Sequence, residues 1–132
     1  MPFTFERAMR LPFHVSDQAP APDGSASLAA WEAADRAVFN PLLEALGAGW
    51  EYVGPCNVYR ERDGVRLMLK MEVRPRESKA RLVGVAQAKG MGDWLLSKIG
   101  FEGPEVRARG EELERQVDDT LAALALRTEL PV

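Results

Sequence analysis

Two segments of the chain alternate between apolar and polar side chains, and a third carries an apolar stripe at helical spacing. Every odd position from residue 3 to residue 15 is apolar except Arg7, and the odd positions from 65 to 73 are apolar as well. A period of two places these side chains on one face of a strand. Along residues 104–126, small and apolar residues recur every three or four positions, which predicts a long helix. This stripe comprises Val106, Gly110, Leu113, Val117, Leu121 and Leu124. The pattern therefore predicts a sheet with a helix laid on one face.

Residues 28–46 are predicted to form two short helices. Ser27 suits the N-cap of the first, and the apolar side chains fall on one helical face. That face comprises Leu28, Trp31, Val38, Phe39, Leu42 and Leu46. Proline removes a helical hydrogen bond and disfavours the helical conformation of the preceding residue. Asn40-Pro41 therefore predicts a break, with helices over 28–39 and 41–46 and Asn40 as the cap of the second.

The segment from 50 to 88 carries strand and turn signals. Residues 50–62 are predicted to be extended, with a bulge or kink at Gly54-Pro55. Asp63-Gly64 is a strong hairpin signal before the alternating strand 65–73, and residues 80–88 form the last strand. One face of that strand carries the small side chains of Gly84, Ala86 and Ala88 beside Leu82, which would let a helix approach the sheet closely.

The register of the predicted hairpin has two solutions. A two-residue loop places Arg60 and Arg62 opposite the apolar Leu67 and Val65, whereas a three-residue loop with a bulge at Gly64 pairs Tyr59 with Leu67. We favour the three-residue loop because burying an unpaired arginine is costly.

Further along the chain, Asp93 caps a predicted short helix over 94–99, and Pro104 opens the final helix. The predicted order is β-α-α-β-β-β-α-α. This is an α+β fold, with a curved antiparallel sheet of four to five strands packed against a long C-terminal helix. At 132 residues the chain is predicted to form one domain spanning 1–132.

This order of elements resembles the helix-grip fold (the START/SRPBCC, or Bet v 1-like, fold). The matching parts are the strand at 3–15, the helix pair split at Asn40-Pro41, the Asp63-Gly64 hairpin and the helix at 104–126. Members of that fold usually have six strands after the helix pair, where this chain shows three or four. The resemblance implies a curved sheet gripping the C-terminal helix, with space for a ligand between them. It carries over no functional residue.

A ligand-binding site between the sheet and the C-terminal helix is the leading functional hypothesis. We expect it to hold an apolar small molecule or a segment of a partner protein. The candidate lining is Phe5, Trp31, Leu67, Leu69, Met71, Trp94, Leu113 and Val117. The same side chains would equally serve as core.

Two alternatives come from other classes of protein. Residues 60–81 carry eight basic side chains against four acidic ones, which would suit a nucleic-acid backbone. The candidate contacts there are Arg60, Arg62, Arg66 and Lys70. Residues 102–119 are acidic, with seven acids against three arginines, so neutralisation between the two segments is the plainer expectation. The second alternative is a homodimer that assembles through a sheet edge or a helix.

The chemistry-bearing residues are sparse. His14 and Cys56 are the sole histidine and cysteine, so neither a catalytic triad nor a four-ligand zinc site is indicated. Gly90-Met91-Gly92 lacks the further residues of a phosphate loop. We therefore predict no catalytic residue, no metal and no cofactor.

Composition adds the setting. Apolar residues make up 46% of the chain and the net charge is −3, which is ordinary for a globular domain. The single thiol fits a reducing compartment. Neither a signal peptide nor a membrane span is indicated. We expect a cytoplasmic protein without membrane contact.

Overall fold

The computed structural model describes residues 3–11, 28–73, 79–88 and 103–128. The fold is α+β, as the sequence predicts. Its elements are β1 (Phe3–Arg10), α1 (Leu28–Ala34), α2 (Asn40–Leu46), β2 (Glu51–Gly54), β3 (Asn57–Arg62), β4 (Val65–Val73), β5 (Lys79–Ala88), α3 (Pro104–Ala123) and β6 (Arg127–Thr128). The helix predicted over 94–99 lies outside the described residues.

The strands form one antiparallel sheet in the order β2-β3-β4-β5-β1-β6. The last of these contributes only two residues, beside β1. The predicted antiparallel sheet is thus confirmed, with five strands of four or more residues in the described part of the chain. The first strand of the chain lies between β5 and β6, so β1 is an interior strand of the sheet.

Side-chain burial follows the predicted alternation. All five odd residues of β4 are buried, while the even residues are partly or fully exposed. The even residues of β5 from Ala80 to Ala88 are likewise buried. They join the inward side chains of β1, α1, α2 and α3 in one hydrophobic core. The described helices therefore cover one face of the sheet, which we call the helix face.

Helix α3 lies on the helix face against β1, β4 and β5. Its buried residues are the predicted stripe of Val106, Gly110, Leu113, Val117 and Leu121. The helix ends at Ala123 rather than at 126, because the chain turns at Ala125, where φ is +55°. Leu124, predicted to belong to the stripe, is consequently 41% exposed.

Two phenylalanine rings fill the space that glycines leave between the sheet and α3. A Cβ atom built on Gly84 would overlap the ring of Phe5, and one built on Gly110 would overlap the ring of Phe3. The two rings pack against each other with their centroids 6.4 Å apart. The small face of β5 thus accommodates aromatic side chains as well as a closely packed helix.

The predicted break at Asn40-Pro41 is wrong. Asn40 has helical dihedral angles, and its N–H donates to the carbonyl of Asp35, five residues earlier. The segment Asp35–Phe39 is a π turn that joins α1 to α2 without an interruption. Such a wide turn shifts the hydrogen-bond pattern just before Pro41, where an ordinary helix could not continue.

Residues 50–62 are also organised differently from the prediction. They form two strands, β2 and β3, that reverse direction at Pro55-Cys56. Cys56 takes a positive φ of 59°, which residues other than glycine seldom adopt. The Gly54-Pro55 signal did not predict this conformation at the next residue. The expected bulge or kink is present as a register shift between Tyr52 and Gly54, and it is followed by a complete hairpin turn that the sequence did not predict.

The favoured hairpin register is wrong as well. Arg60 pairs with Leu67 and Arg62 with Val65, so the loop has two residues. Asp63 and Gly64 both have positive φ, as the tight turn requires. Arg60 is tolerated on the helix face because its guanidinium stacks on the Trp50 ring, 4.5 Å from the centroid.

Candidate functional site

A groove of about 380 Å³ lies where α1 meets the β2–β3 turn and β4. We call it the α1 groove. It is lined by Leu28, Trp31, Pro55, Cys56, Asn57, Lys70, Met71 and Glu72. Leu28, the first residue of α1, is 64% exposed and lines the groove. Its helical spacing had predicted a position in the core.

Hydrogen bonds to Cys56 hold the floor of the α1 groove. Its thiol donates to the Trp31 carbonyl at 3.4 Å, and its backbone N–H donates to the Asp35 carboxylate at 3.2 Å. Its carbonyl accepts from the Met71 N–H at 2.8 Å. These bonds join α1, the β2–β3 turn and β4, and so fix the positions of Trp31 and Met71 relative to each other.

Asp35 is a site residue that sequence reasoning missed. It lies in the π turn, half-buried, and its charge acts on the Tyr52 hydroxyl as well as on Cys56. The available signal was its position: Asp35 falls on the apolar stripe, between Trp31 and Val38. A lone acid on a buried helical face indicates a buried hydrogen-bond acceptor.

The Cys56 thiol and the Tyr52 hydroxyl hold their protons tightly. Burial, and then the negative charge of Asp35, raise the pKa of the Cys56 thiol to about 12. Burial first, and then Asp35 through its charge and hydrogen bond, raise the pKa of Tyr52 to about 12. The thiol is therefore protonated at neutral pH, a state unsuited to nucleophilic attack.

These shifts predict a loss of stability at alkaline pH. The unfolded chain releases the Cys56 proton near pH 9, about three pH units before the folded chain does. The stabilisation is therefore complete below pH 9 and is lost as pH rises toward 12. The free energy of unfolding should fall by up to about 1.4 kcal/mol per pH unit from the buried Cys56. Half-exposed Tyr52 should add less because water screens it.

Urea denaturation between pH 7 and pH 11 measures this loss. Cys56→Ser keeps a hydroxyl that can donate to the Trp31 carbonyl but does not titrate in this range, so its stability should decline more slowly with pH. Equal declines for Cys56→Ser and the unaltered protein would contradict the assignment.

The predicted pocket residues divide between the core and the α1 groove. Six of them belong to the hydrophobic core: Phe5, Leu67, Leu69, Met71, Leu113 and Val117. Trp31 is partly buried against that core and lines the α1 groove, as Met71 does. Trp94 lies outside the described residues.

The predicted nucleic-acid contacts do not share one surface. Arg60 and Arg62 pair with the buried positions of β4 and lie on the helix face, whereas Arg66 and Lys70 lie on the opposite face. Arg66 is 2.9 Å from Glu61, and Lys70 is 3.3 Å from Glu72. The Arg66 guanidinium also covers the Tyr59 ring, 4.4 Å from its centroid. This side of the hairpin is thus largely neutralised by its own acids.

A second groove of about 330 Å³ adjoins α2. Its lining comprises Asn40, Leu43, Glu44, Gly47, Ala48, Gly49, Trp50 and Tyr52. Beside it, β2 forms one edge of the sheet, with Val53 62% exposed. Assembly through this edge stays a prediction, since the structure contains a single chain.

Three further observations bear on the site. Within the described ranges, no three His, Cys, Asp or Glu side chains gather as a metal site would need. None of the described helices has the length and apolar character required to cross a bilayer. His14 and the segment 89–93 lie outside the described residues.

Comparison with known proteins gives no relative. No family model, no curated protein and no solved structure matches the chain.

Proposed function

We propose that this protein is a small binding domain that takes an apolar small molecule in the α1 groove. The observation that carries the proposal is the groove itself, whose volume of about 380 Å³ lies in the range of small-molecule sites. Leu28, Trp31, Pro55 and Met71 supply an apolar lining, while Asn57, Lys70 and Glu72 supply polar groups.

The proposed ligand remains an apolar small molecule, as the sequence suggested, but its binding site is now the α1 groove. The sequence-based hypothesis put the ligand between the sheet and the C-terminal helix, where Phe5, Leu113 and Val117 now belong to the core. The α1 groove retains Trp31 and Met71 from that hypothesis. The helix-grip resemblance is consistent with a binding role but does not point to this groove.

Replacing Leu28 with glutamate should weaken ligand binding strongly without unfolding the protein. Leu28 is 64% exposed, so the fold does not depend on it, but a carboxylate in the apolar lining would have to be desolvated by the ligand. Anilinonaphthalene sulfonate is a suitable probe because it fluoresces on entering apolar sites. We expect Leu28→Glu to weaken its binding by about tenfold or more, equivalent to at least about 1.4 kcal/mol.

Val53→Glu is the matched control, because Val53 is 62% exposed on β2 and does not line the α1 groove. It should bind the dye as the unaltered protein does. Native mass spectrometry of freshly purified protein provides a second measurement, since a copurified ligand should be absent from Leu28→Glu. Equal dye binding by both variants would overturn the proposal.

A further inference from the structure

A group of arginines gathers where the β3–β4 hairpin meets α3. Arg60 and Arg62 extend from the helix face of β3, opposite the buried Leu67 and Val65. Arg109 approaches from α3 and ties the helix to the hairpin turn, with 2.7 Å between its Nη2 and Asp63 Oδ2. We call these three residues the arginine cluster. It lies apart from the residues that line the α1 groove.

Arg60 is held in place while most of its hydrogen-bonding capacity stays unused. Its guanidinium stacks on the Trp50 ring, and its stem packs against Gly49, where an added Cβ would come within 3.2 Å of Arg60 Cδ. One hydrogen bond, from Nη1 to the Ala48 carbonyl, is long at 3.4 Å. A guanidinium has five N–H donors, so this fixed group has donors left for a further partner.

The charges of the arginine cluster are not balanced by its own acids. Among the described residues, neither Arg60 nor Arg62 forms an ion pair, whereas Arg109 is paired with Asp63. Burial, and then the charges of Arg62 and Arg109, lower the pKa of Arg60, with Glu112 opposing them. The guanidinium groups of Arg60, Arg62 and Arg109 therefore have two carboxylates near them, those of Asp63 and Glu112. This local excess of positive charge occurs in a chain whose net charge is −3.

We propose that the arginine cluster binds an oxyanion of the phosphate class. A bound phosphate would relieve the repulsion among the three guanidinium groups and occupy the free donors of Arg60 and Arg62. Planar guanidinium groups suit this role because two parallel N–H bonds match the spacing of phosphate oxygens. The phosphate belongs either to a small molecule or to a nucleic-acid strand, and both sources use the same contacts.

Inorganic pyrophosphate and a short oligothymidylate test the two sources. Thermal unfolding is followed in pyrophosphate and in chloride at equal ionic strength, which separates specific binding from screening. We expect pyrophosphate at ten times its Kd to raise the Tm by about 3–5 °C. Oligothymidylate that binds more tightly than pyrophosphate, with strong salt dependence, would identify a nucleic-acid strand as the source.

Arg62→Gln is the diagnostic variant because Arg62 is exposed and forms no ion pair in the described part of the chain. It should fold normally and bind the anion about tenfold more weakly. Arg107→Gln is the matched control, since Arg107 is an exposed arginine of α3 outside the arginine cluster and pairs only loosely, 3.7 Å from Glu111. The proposal would be overturned if neither pyrophosphate nor oligothymidylate bound to the protein. It would also be overturned if Arg62→Gln and Arg107→Gln lost affinity for the anion equally.

Discussion

Replacing Gly84 with valine should lower the free energy of unfolding by about 3–5 kcal/mol. Gly84 is fully enclosed in β5, and the Phe5 ring occupies the space where its Cβ would stand. Phe5 is only 5% exposed and is flanked by Phe3, so its ring has little room to move aside. The branched side chain would therefore displace the ring or β1 itself. Urea denaturation at neutral pH measures the loss.

Gly54→Val provides the matched control, because a Cβ on Gly54 would meet no atom within 4 Å. Its stability should stay within about 0.5 kcal/mol of the unaltered protein. Phe5→Ala should rescue part of the loss in Gly84→Val, since each change makes room for the other. We expect the double variant to be about 1–3 kcal/mol more stable than the sum of the single effects. Simple additivity would show that the Phe5 ring does not occupy this space.

The contact between Phe5 and Gly84 could be predicted from the sequence only in part. Alternation placed both residues on the helix face, and the small face of β5 predicted a close approach. The pattern did not reveal that an aromatic ring from β1 shares this space. That depends on the register between two strands with 68 residues between them, from Arg10 to Lys79, which local periodicity does not encode.

Of the mistaken elements, the continuous helix across Asn40-Pro41 is decided locally, by the π turn that precedes the proline. The other two share a physical origin. The turn at Pro55-Cys56 was judged from local propensity and the hairpin register from the cost of burying an unpaired arginine, and a contact with another part of the fold accompanies each outcome. Cys56 adopts its positive φ with its N–H bonded to Asp35. Arg60 occupies a core-facing position because Trp50 offers it a stacking surface. Tertiary contacts therefore overrode the local preferences on which the predictions depended.

The same limit applies to the candidate site. Trp31 and Met71 were identified as lining residues because large apolar side chains line binding pockets as well as hydrophobic cores. The spacing of apolar residues cannot distinguish the two roles. The location of the α1 groove depends on the hairpin turn at Pro55-Cys56 and on the exposure of Leu28, and neither was predicted from the sequence.

Arg7, the one exception in the alternation of β1, should be the charged residue that contributes most to stability. It lies on the helix face and reaches two acids of α3, with 2.6 Å between Nε and Asp118 Oδ1 and 2.7 Å between Nη2 and Glu114 Oε2. Its Nη1 also donates to the Glu6 carbonyl at 2.8 Å. The hydrogen bonds to Asp118 and Glu114 raise the pKa of Arg7 against the opposing effect of burial.

Arg7→Met should lower the free energy of unfolding by about 2–4 kcal/mol, because the variant leaves two half-buried carboxylates without their cation. The loss should be smaller than for a fully buried ion pair, since the Arg7 side chain retains 23% exposure. Arg107→Met, at an exposed pair on α3, should cost no more than about 0.5 kcal/mol. Urea denaturation of both variants gives the comparison.

Neutralising the two acids distinguishes a charge effect from a packing effect. If unpaired charge causes the loss in Arg7→Met, adding Glu114→Gln and Asp118→Asn should restore about half of it or more, because neutral amides are less costly to desolvate than carboxylates. If lost packing of the arginine stem causes it, the triple variant should be no more stable than Arg7→Met. The second result would mean that Arg7 stabilises the fold by packing its stem between β1 and α3. The ion pairs with Glu114 and Asp118 would then contribute nothing to the stability of the fold.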